Sequence, residues 1–172
     1  MGLGAVGAQL AGVAAGLGMR VIGLTRRPDT MPAHVEAVSK QALIEQADVV
    51  VLCCPLNAQT KGLVDAATVA LMKSTAFLIN VSRGPVIDTA AVLAALQSGA
   101  LGGAALDVHD QQPLTGQEAL FDCPNLLITP HVAGITSTSL HGMSHGAVHT
   151  LIALLRGDKP ANVVNPEVFQ TA

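Results

Sequence analysis

An arginine and a histidine stand at chain turns that follow apolar runs. Ala76-Phe77-Leu78-Ile79 reads as a buried strand, Asn80-Val81-Ser82-Arg83-Gly84-Pro85 as the turn after it, and Asp88 as the cap of a helix rich in Ala and Leu. Ligands of open α/β sheets lie at the carboxyl ends of the strands, which places Arg83 where chemistry occurs. A guanidinium there suits a carboxylate, which it grips with two parallel hydrogen bonds; the alternative is an arginine solvating a surface loop. Thr129-Pro130-His131-Val132-Ala133-Gly134 follows the apolar run Leu126-Leu127-Ile128 and puts an imidazole, the usual proton donor or acceptor near neutral pH, on a second strand-end loop. Gly2-Leu3-Gly4-Ala5-Val6-Gly7 is a G-x-G-x-x-G opening a helix. Such glycines permit a tight turn and bring backbone N–H groups up to a pyrophosphate at the helix N-terminus, although the motif alone is a weak signal.

The elements that must position these residues alternate along the chain. Helix 5–17 leads to strand 20–24, a helix opened by Ser39 leads to strand 49–52, and a helix from Asp65 to Met72 leads to strand 76–80. Asp88 caps a helix that ends at Gly99, the expected left-handed stop. Strands 103–108 and 126–128 follow, then a long helix from Ser137 to Arg156, with residues 110–125 as a polar, Pro-containing loop. This alternation predicts βαβ units, right-handed crossovers and an α/β fold with a doubly wound parallel sheet of the Rossmann type.

The three motifs, in this order and spacing, resemble the cofactor domain of the D-isomer-specific 2-hydroxyacid dehydrogenases. Asp48-Val49-Val50-Val51-Leu52, Pro55-Leu56 and Leu106-Asp107-Val108 extend the match, which runs over residues 2–165. The resemblance implies hydride transfer between a nicotinamide cofactor and a small 2-oxo or 2-hydroxy acid such as glyoxylate or hydroxypyruvate. By position, Arg83 would bind the substrate carboxylate and carbonyl, His131 would pass a proton to or from the substrate oxygen, and Asp107 would lie near the nicotinamide carboxamide. The cofactor would meet Gly2, Gly4, Ala5, Val6, Gly7, Thr25, Arg26, Arg27, Cys54, Pro55, Thr60, Val81, Ser82, Arg83, Asp107, His131, Ala133 and Gly134. A homodimer through the cofactor domain is implied as well. Residues 1–150 would form the dinucleotide-binding domain, and 151–172 the helix end and tail that in the family return to the substrate domain.

Three departures qualify the resemblance. Thr25 stands where NAD-using members carry an acidic residue for the ribose 2′-hydroxyl, and Arg26 and Arg27 follow it, which favours NADP(H) over NAD. Gln112 takes the place of the glutamate that in the family pairs with the histidine. A neutral amide cannot stabilise an imidazolium by charge. The readings that remain are a 2-oxo acid reductase with shifted pH dependence, hydride transfer without acid–base help, or a dinucleotide-binding or interaction module without turnover; Asp110 is a candidate substitute for the glutamate. Finally, only Met1 precedes the glycine motif, so the expected domain lacks its central first strand and the substrate domain. Roughly five buried apolar side chains, each worth about 1.5–3 kcal/mol, would then be missing. The flanking strand edges would be unpaired, and the chain marginally stable and prone to aggregate.

Composition narrows the classes. The chain has 172 residues, half of them hydrophobic, but only three aromatics (Phe77, Phe121, Phe169), so its core must be Ala, Val, Leu and Ile, as in layered α/β folds. A net charge of −3 without a basic block gives no support to nucleic-acid binding. The uncharged residues 1–19 lack the basic start of a signal peptide, and their six glycines make a poor membrane span. Three cysteines, Cys53, Cys54 and Cys123, are too few for a disulfide framework and fit reduced thiols in a cytoplasm. His141, His145 and His149 share one helix face. A buried or interface stripe is the favoured reading of that face, and no metal is assigned to it. Ser82 and His131 do not form a hydrolase pair, because G-x-S-x-G is absent.

Overall fold

In the computed structural model, which describes residues 1–25, 30–116, 118–160 and 162–169, helices begin where capping side chains stand. Ser39 Oγ accepts from Ala42 N at 3.1 Å and opens α2 (Lys40–Gln46). Asp65 Oδ1 accepts from Thr68 N at 2.8 Å and opens α3 (Ala66–Ala70). Asp88 Oδ1 accepts from Ala91 N at 3.1 Å and opens α4 (Thr89–Ser98), which Gly99 ends at φ 73°. Each side-chain oxygen satisfies an amide that has no partner within its helix. α1 (Ala5–Gly16) differs: Gly4 at its N-cap offers no side-chain oxygen.

The strands are parallel, as expected. β3 (Val49–Leu52), β4 (Phe77–Asn80), β5 (Gly103–Leu106) and β6 (Leu126–Ile128) form a sheet in that order. β1 (Ile22–Gly23) pairs with β2 (Glu36–Ala37) in a two-stranded sheet. The register aligns Leu52, Asn80, Leu106 and Ile128 in one row, so the loops that follow all leave from the same edge. Val50, Leu52, Leu78 and Leu106 are buried against Ile44, Val64, Val92 and Leu96, giving the aliphatic core that the composition required.

Met1 and Gly2 stand between the two sheets. Met1 N donates to Val51 O at 2.6 Å and Cys53 N donates to Met1 O at 2.9 Å, the parallel pattern that pairs Met1 with Leu52. Gly2 N turns the other way and donates to Leu24 O at 3.1 Å. This alternation is that of a central strand, and Met1 joins the row of strand ends. Beside it, a cavity of about 330 Å³ is lined by Leu10, Ala11, Ile22, Leu43, Val49 and Val51.

Two sequence expectations are corrected. The strand at 20–24 is reduced to Ile22–Gly23, and the exposed pair Glu36–Ala37 forms a strand that no apolar pattern announced. Both follow from pairing: β1 takes only the two residues that β2 offers in register.

The chain divides into two compact units, residues 1–133 and 134–172. In the second, α5 (Ser137–Leu155) runs unbroken through residue 150 behind a reciprocal cap, with Ser139 N donating to Thr136 Oγ1 and Thr136 N to Ser139 Oγ. His141, His145 and His149 are exposed on it, so the stripe is not buried within this chain, and of the two expected readings the interface stripe is the one that fits. Among the described residues no group of three His, Cys, Asp or Glu side chains is placed to hold a metal ion, and no helix is long and apolar enough to cross a membrane.

The apolar cavity beside β3 generates a stability prediction. Extending the chain ahead of Met1 by a short β-branched segment adds a strand in register with Val49 and Val51, and is expected to raise Tm by roughly 5–10 °C. An unchanged melting curve in calorimetry would show that this edge does not accept a strand.

Candidate active site

The common edge of the sheet gathers most of the residues the sequence singled out. Next to the row of strand ends come Gly2, Cys53, Val81, Asp107 and Thr129. Val6, Cys54, Pro55, Val81, Ser82 and Arg83 line one cleft there. On its glycine side the chain approaches itself closely: a Cβ at Gly7 would lie 2.0 Å from the Gly2 carbonyl oxygen, so only glycine fits. The first amides of α1, at Ala5 and Val6, follow an N-cap without a side-chain partner and suit an anionic group. Cys54 is buried and Cys53 partly exposed; burial pushes the Cys53 thiol up. Thr60 Oγ1 donates to Pro55 O at 2.6 Å and folds that loop against its strand end. Thr25 is half-buried just beyond β1. Arg26 and Arg27, expected to favour NADP(H), lie outside the described residues. Gly134 belongs to the second unit.

Asn80 shapes the arginine turn. Fully buried at the end of β4, its Oδ1 accepts from Ser82 N and Ser82 Oγ, each at 3.0 Å, and its Nδ2 donates to Arg83 O at 3.0 Å. Arg83 is exposed, with Nη1 donating to Ser82 O at 2.6 Å. The next residue presses on the neighbouring loop: a Cβ at Gly84 would stand 2.2 Å from the His109 carbonyl carbon. The arginine turn and the segment after β5 are therefore in direct backbone contact.

Asp107 builds the histidine turn. It is 5% exposed and accepts from Thr129 Oγ1 at 2.5 Å, Val132 N at 2.8 Å and Ala133 N at 3.0 Å. Burial opposes its charge, but the hydrogen bonds from Thr129, Ala133 and Val132 and the nearby His131 outweigh that, and its carboxyl lies below the ordinary value. Between the bonded residues His131 sits at φ 60°, a left-handed conformation that costs of order 1–3 kcal/mol and persists only where surroundings fix it. His131 Nδ1 lies 3.1 Å from Gln112 Oε1, and Gln112 Nε2 donates to His109 O at 3.5 Å. The amide oxygen accepts only, so Nδ1 carries the hydrogen and Nε2 is free to exchange a proton. Asp110 does not replace a glutamate beside His131: its Oδ2 accepts from Thr89 Oγ1 at 2.8 Å, at the start of α4.

Comparisons with known proteins bear on the family and the fold. Residues 1–133 match the description "D-isomer specific 2-hydroxyacid dehydrogenase, NAD binding domain". The chain belongs to this family. It is 37% identical over 173 residues to the glyoxylate reductase of Pyrococcus horikoshii, covering 99% of this chain and 52% of that protein. Among solved structures it is similar to the NAD-complexed D-isomer specific 2-hydroxyacid dehydrogenase of Lactobacillus delbrueckii ssp. bulgaricus (TM-score 0.84, 30% identity, covering 95% of this chain and 54% of that one). It is also similar to the NADPH-dependent glyoxylate/hydroxypyruvate reductase of Sinorhizobium meliloti in complex with NADP and sulfate (TM-score 0.83, 31% identity, covering 96% and 54%). This member of the family thus spans about half the length of the curated relative it matches.

The residues that sequence reading missed are Asn80, His109 and Thr129. Each lies within or beside a quoted motif, but its role depends on partners from another strand.

A depressed carboxylate stabilises its folded partners above its unfolded pKa, and that contribution is lost as pH falls through the folded value. The His131 turn is therefore expected to stay ordered at neutral pH and to loosen only below the ordinary carboxylate range. Amide signals of Val132 and Ala133 report this by NMR. In Asp107→Asn they should show a loosened turn already at pH 7 and little further change on acidification; a transition like the parent's would contradict the clamp.

Proposed function

We propose that this chain is the cofactor-binding half of an NAD(P)H-dependent 2-oxo acid reductase of the D-2-hydroxyacid dehydrogenase type, acting on a small acid such as glyoxylate or hydroxypyruvate. The observation that carries the proposal is the 3.1 Å contact of His131 Nδ1 with Gln112 Oε1 on the strand edge that also bears Arg83. Gly2, Gly4, Ala5, Val6 and Gly7 would hold the pyrophosphate, with Cys54, Pro55, Thr60, Val81, Ser82, Ala133 and Gly134 along the rest of the dinucleotide. The close-packed glycine turn and the uncapped start of α1 fit that role. A bound nicotinamide supplies hydride transfer to or from the substrate 2-carbon.

The chain's own residues do the rest. Arg83 pairs with the substrate carboxylate and polarises the 2-carbonyl, fixing the carbon that is reduced. His131 gives the Nε2 proton of its imidazolium to the carbonyl oxygen as the alcohol forms, and accepts it back in oxidation. Gln112 accepts from Nδ1–H throughout, so the ring keeps its orientation in both protonation states. Asp107, with its carboxylate engaged by the His131 turn, acts as that turn's clamp. Arg26 and Arg27 favour NADP(H) over NAD by attraction for a 2′-phosphate, with Thr25 in place of a repelling carboxylate. The remaining parts of the reading are a cytoplasmic homodimer, supported by the family and by three free cysteines, with neither nucleic acid nor membrane as partner.

Two measurements test this. Fluorescence titration of the chain with NADPH and NADH is expected to show tighter NADPH binding, reduced in Arg26→Asp. Equal affinity for the two nucleotides, unchanged in the variant, would remove the basis for NADP(H). In a chain completed with a substrate domain, glyoxylate reduction is expected to fall as pH rises, and Gln112→Glu to move that fall to higher pH, because a carboxylate favours the imidazolium. Nucleotide binding without turnover in both forms would favour a dinucleotide-binding module, the reading to which the neutral Gln112 otherwise points.

A further inference from the structure

We propose that His109 is a positioning residue that fixes the geometry of His131 through Thr129; the proposal rests on the reading of His131 as the proton-transfer group. His109 is only 8% exposed, and its Nε2 lies 3.0 Å from Thr129 O. A carbonyl oxygen accepts only, so Nε2 carries the hydrogen and the ring is a fixed donor. Thr129 is then held at every polar group it has: its N–H by Leu106 O at 3.1 Å, its hydroxyl by Asp107 Oδ1 and its carbonyl by His109. Two residues later the chain enters the left-handed conformation of His131.

The same residue acts from the other side of the ring. The backbone carbonyl of His109 receives the Gln112 amide, which leaves the Gln112 oxygen facing His131 Nδ1. His109 therefore holds the entry to the turn with its side chain and orients the acceptor of His131 with its main chain. Its backbone also packs on Gly84, beside Arg83. A buried apolar side chain in its place could fill the volume but could not hold the Thr129 carbonyl.

The test uses this chain with labelled histidine and compares the parent with His109→Phe and His109→Gln, assigning His131 by its loss in His131→Ala. In the parent, the nitrogen shifts of His131 should report a single Nδ1–H tautomer. In His109→Phe, the two tautomers should mix, and the Val132 and Ala133 amides should exchange with solvent about tenfold faster. Amides of β3, β4 and β5 should be unchanged. His109→Gln, which keeps a side-chain N–H donor, should restore the parent tautomer and most of the protection. Parent-like tautomer and exchange in His109→Phe would overturn the proposal, as would identical behaviour of Phe and Gln, which would leave only volume at stake. If His109→Phe fails to fold, His109→Met against His109→Gln makes the same comparison. None of these readouts needs turnover, so absence of reductase activity would count against the proposed function and leave this inference standing.

Discussion

Parallel register is the constraint on which the rest of this structure depends. Four paired strands end in one row at Leu52, Asn80, Leu106 and Ile128, and Met1 joins that row through its two bonds to the backbone after Val50. Every loop with a candidate role then begins at the same edge. A slip of one residue in any strand would turn its core side chains to the opposite face. Val50, Leu52, Leu78 and Leu106 are all essentially inaccessible to solvent, so such a slip would expose the centre of the core. The apolar interior thereby fixes the polar edge: burial of these aliphatic side chains decides where Arg83 and His131 stand.

At that edge, order comes from buried polar groups that have donors in excess. Asn80 holds three groups of the arginine turn, and Asp107 holds three of the histidine turn. A buried carboxylate is costly unless it is hydrogen-bonded, and once bonded its removal is costly too. The strained φ of His131 is sustained by this asymmetry, since relaxing the turn would leave the Asp107 charge without its amide donors. Among the described residues no buried side-chain polar atom lacks a partner. The exposed candidate groups, Arg83 and His131, are thus mounted on a base whose buried polar side chains are satisfied.

The sequence disclosed what depends on local spacing. Ser39, Asp65 and Asp88 cap helices because the side-chain oxygen and the amide it accepts from are three residues apart, and Gly99 ends α4 for an equally local reason. β3 and β6 were legible as apolar runs. Glu36–Ala37 was not, because two exposed residues become a strand only through β1. Arg83 and His131 were found by motif, whereas Asn80, His109 and Thr129 owe their roles to partners brought alongside by the register. Asp110 shows the converse failure: nearness in sequence to Gln112 suggested a substitute acid, yet its side chain is engaged by Thr89 on α4.

Gln112 separates two tasks that one glutamate would combine. Orientation of the imidazole needs only an acceptor at Nδ1, and an amide oxygen at 3.1 Å supplies one. Stabilisation of the imidazolium needs negative charge, which the amide lacks. The Asp107 carboxylate and His131 interact through charge, but the Asp107 oxygens are already bonded to Thr129, Val132 and Ala133 and none is paired with the ring. The site is therefore built to hold a histidine in one tautomer and one place through a neutral acceptor, with orientation secured independently of charge.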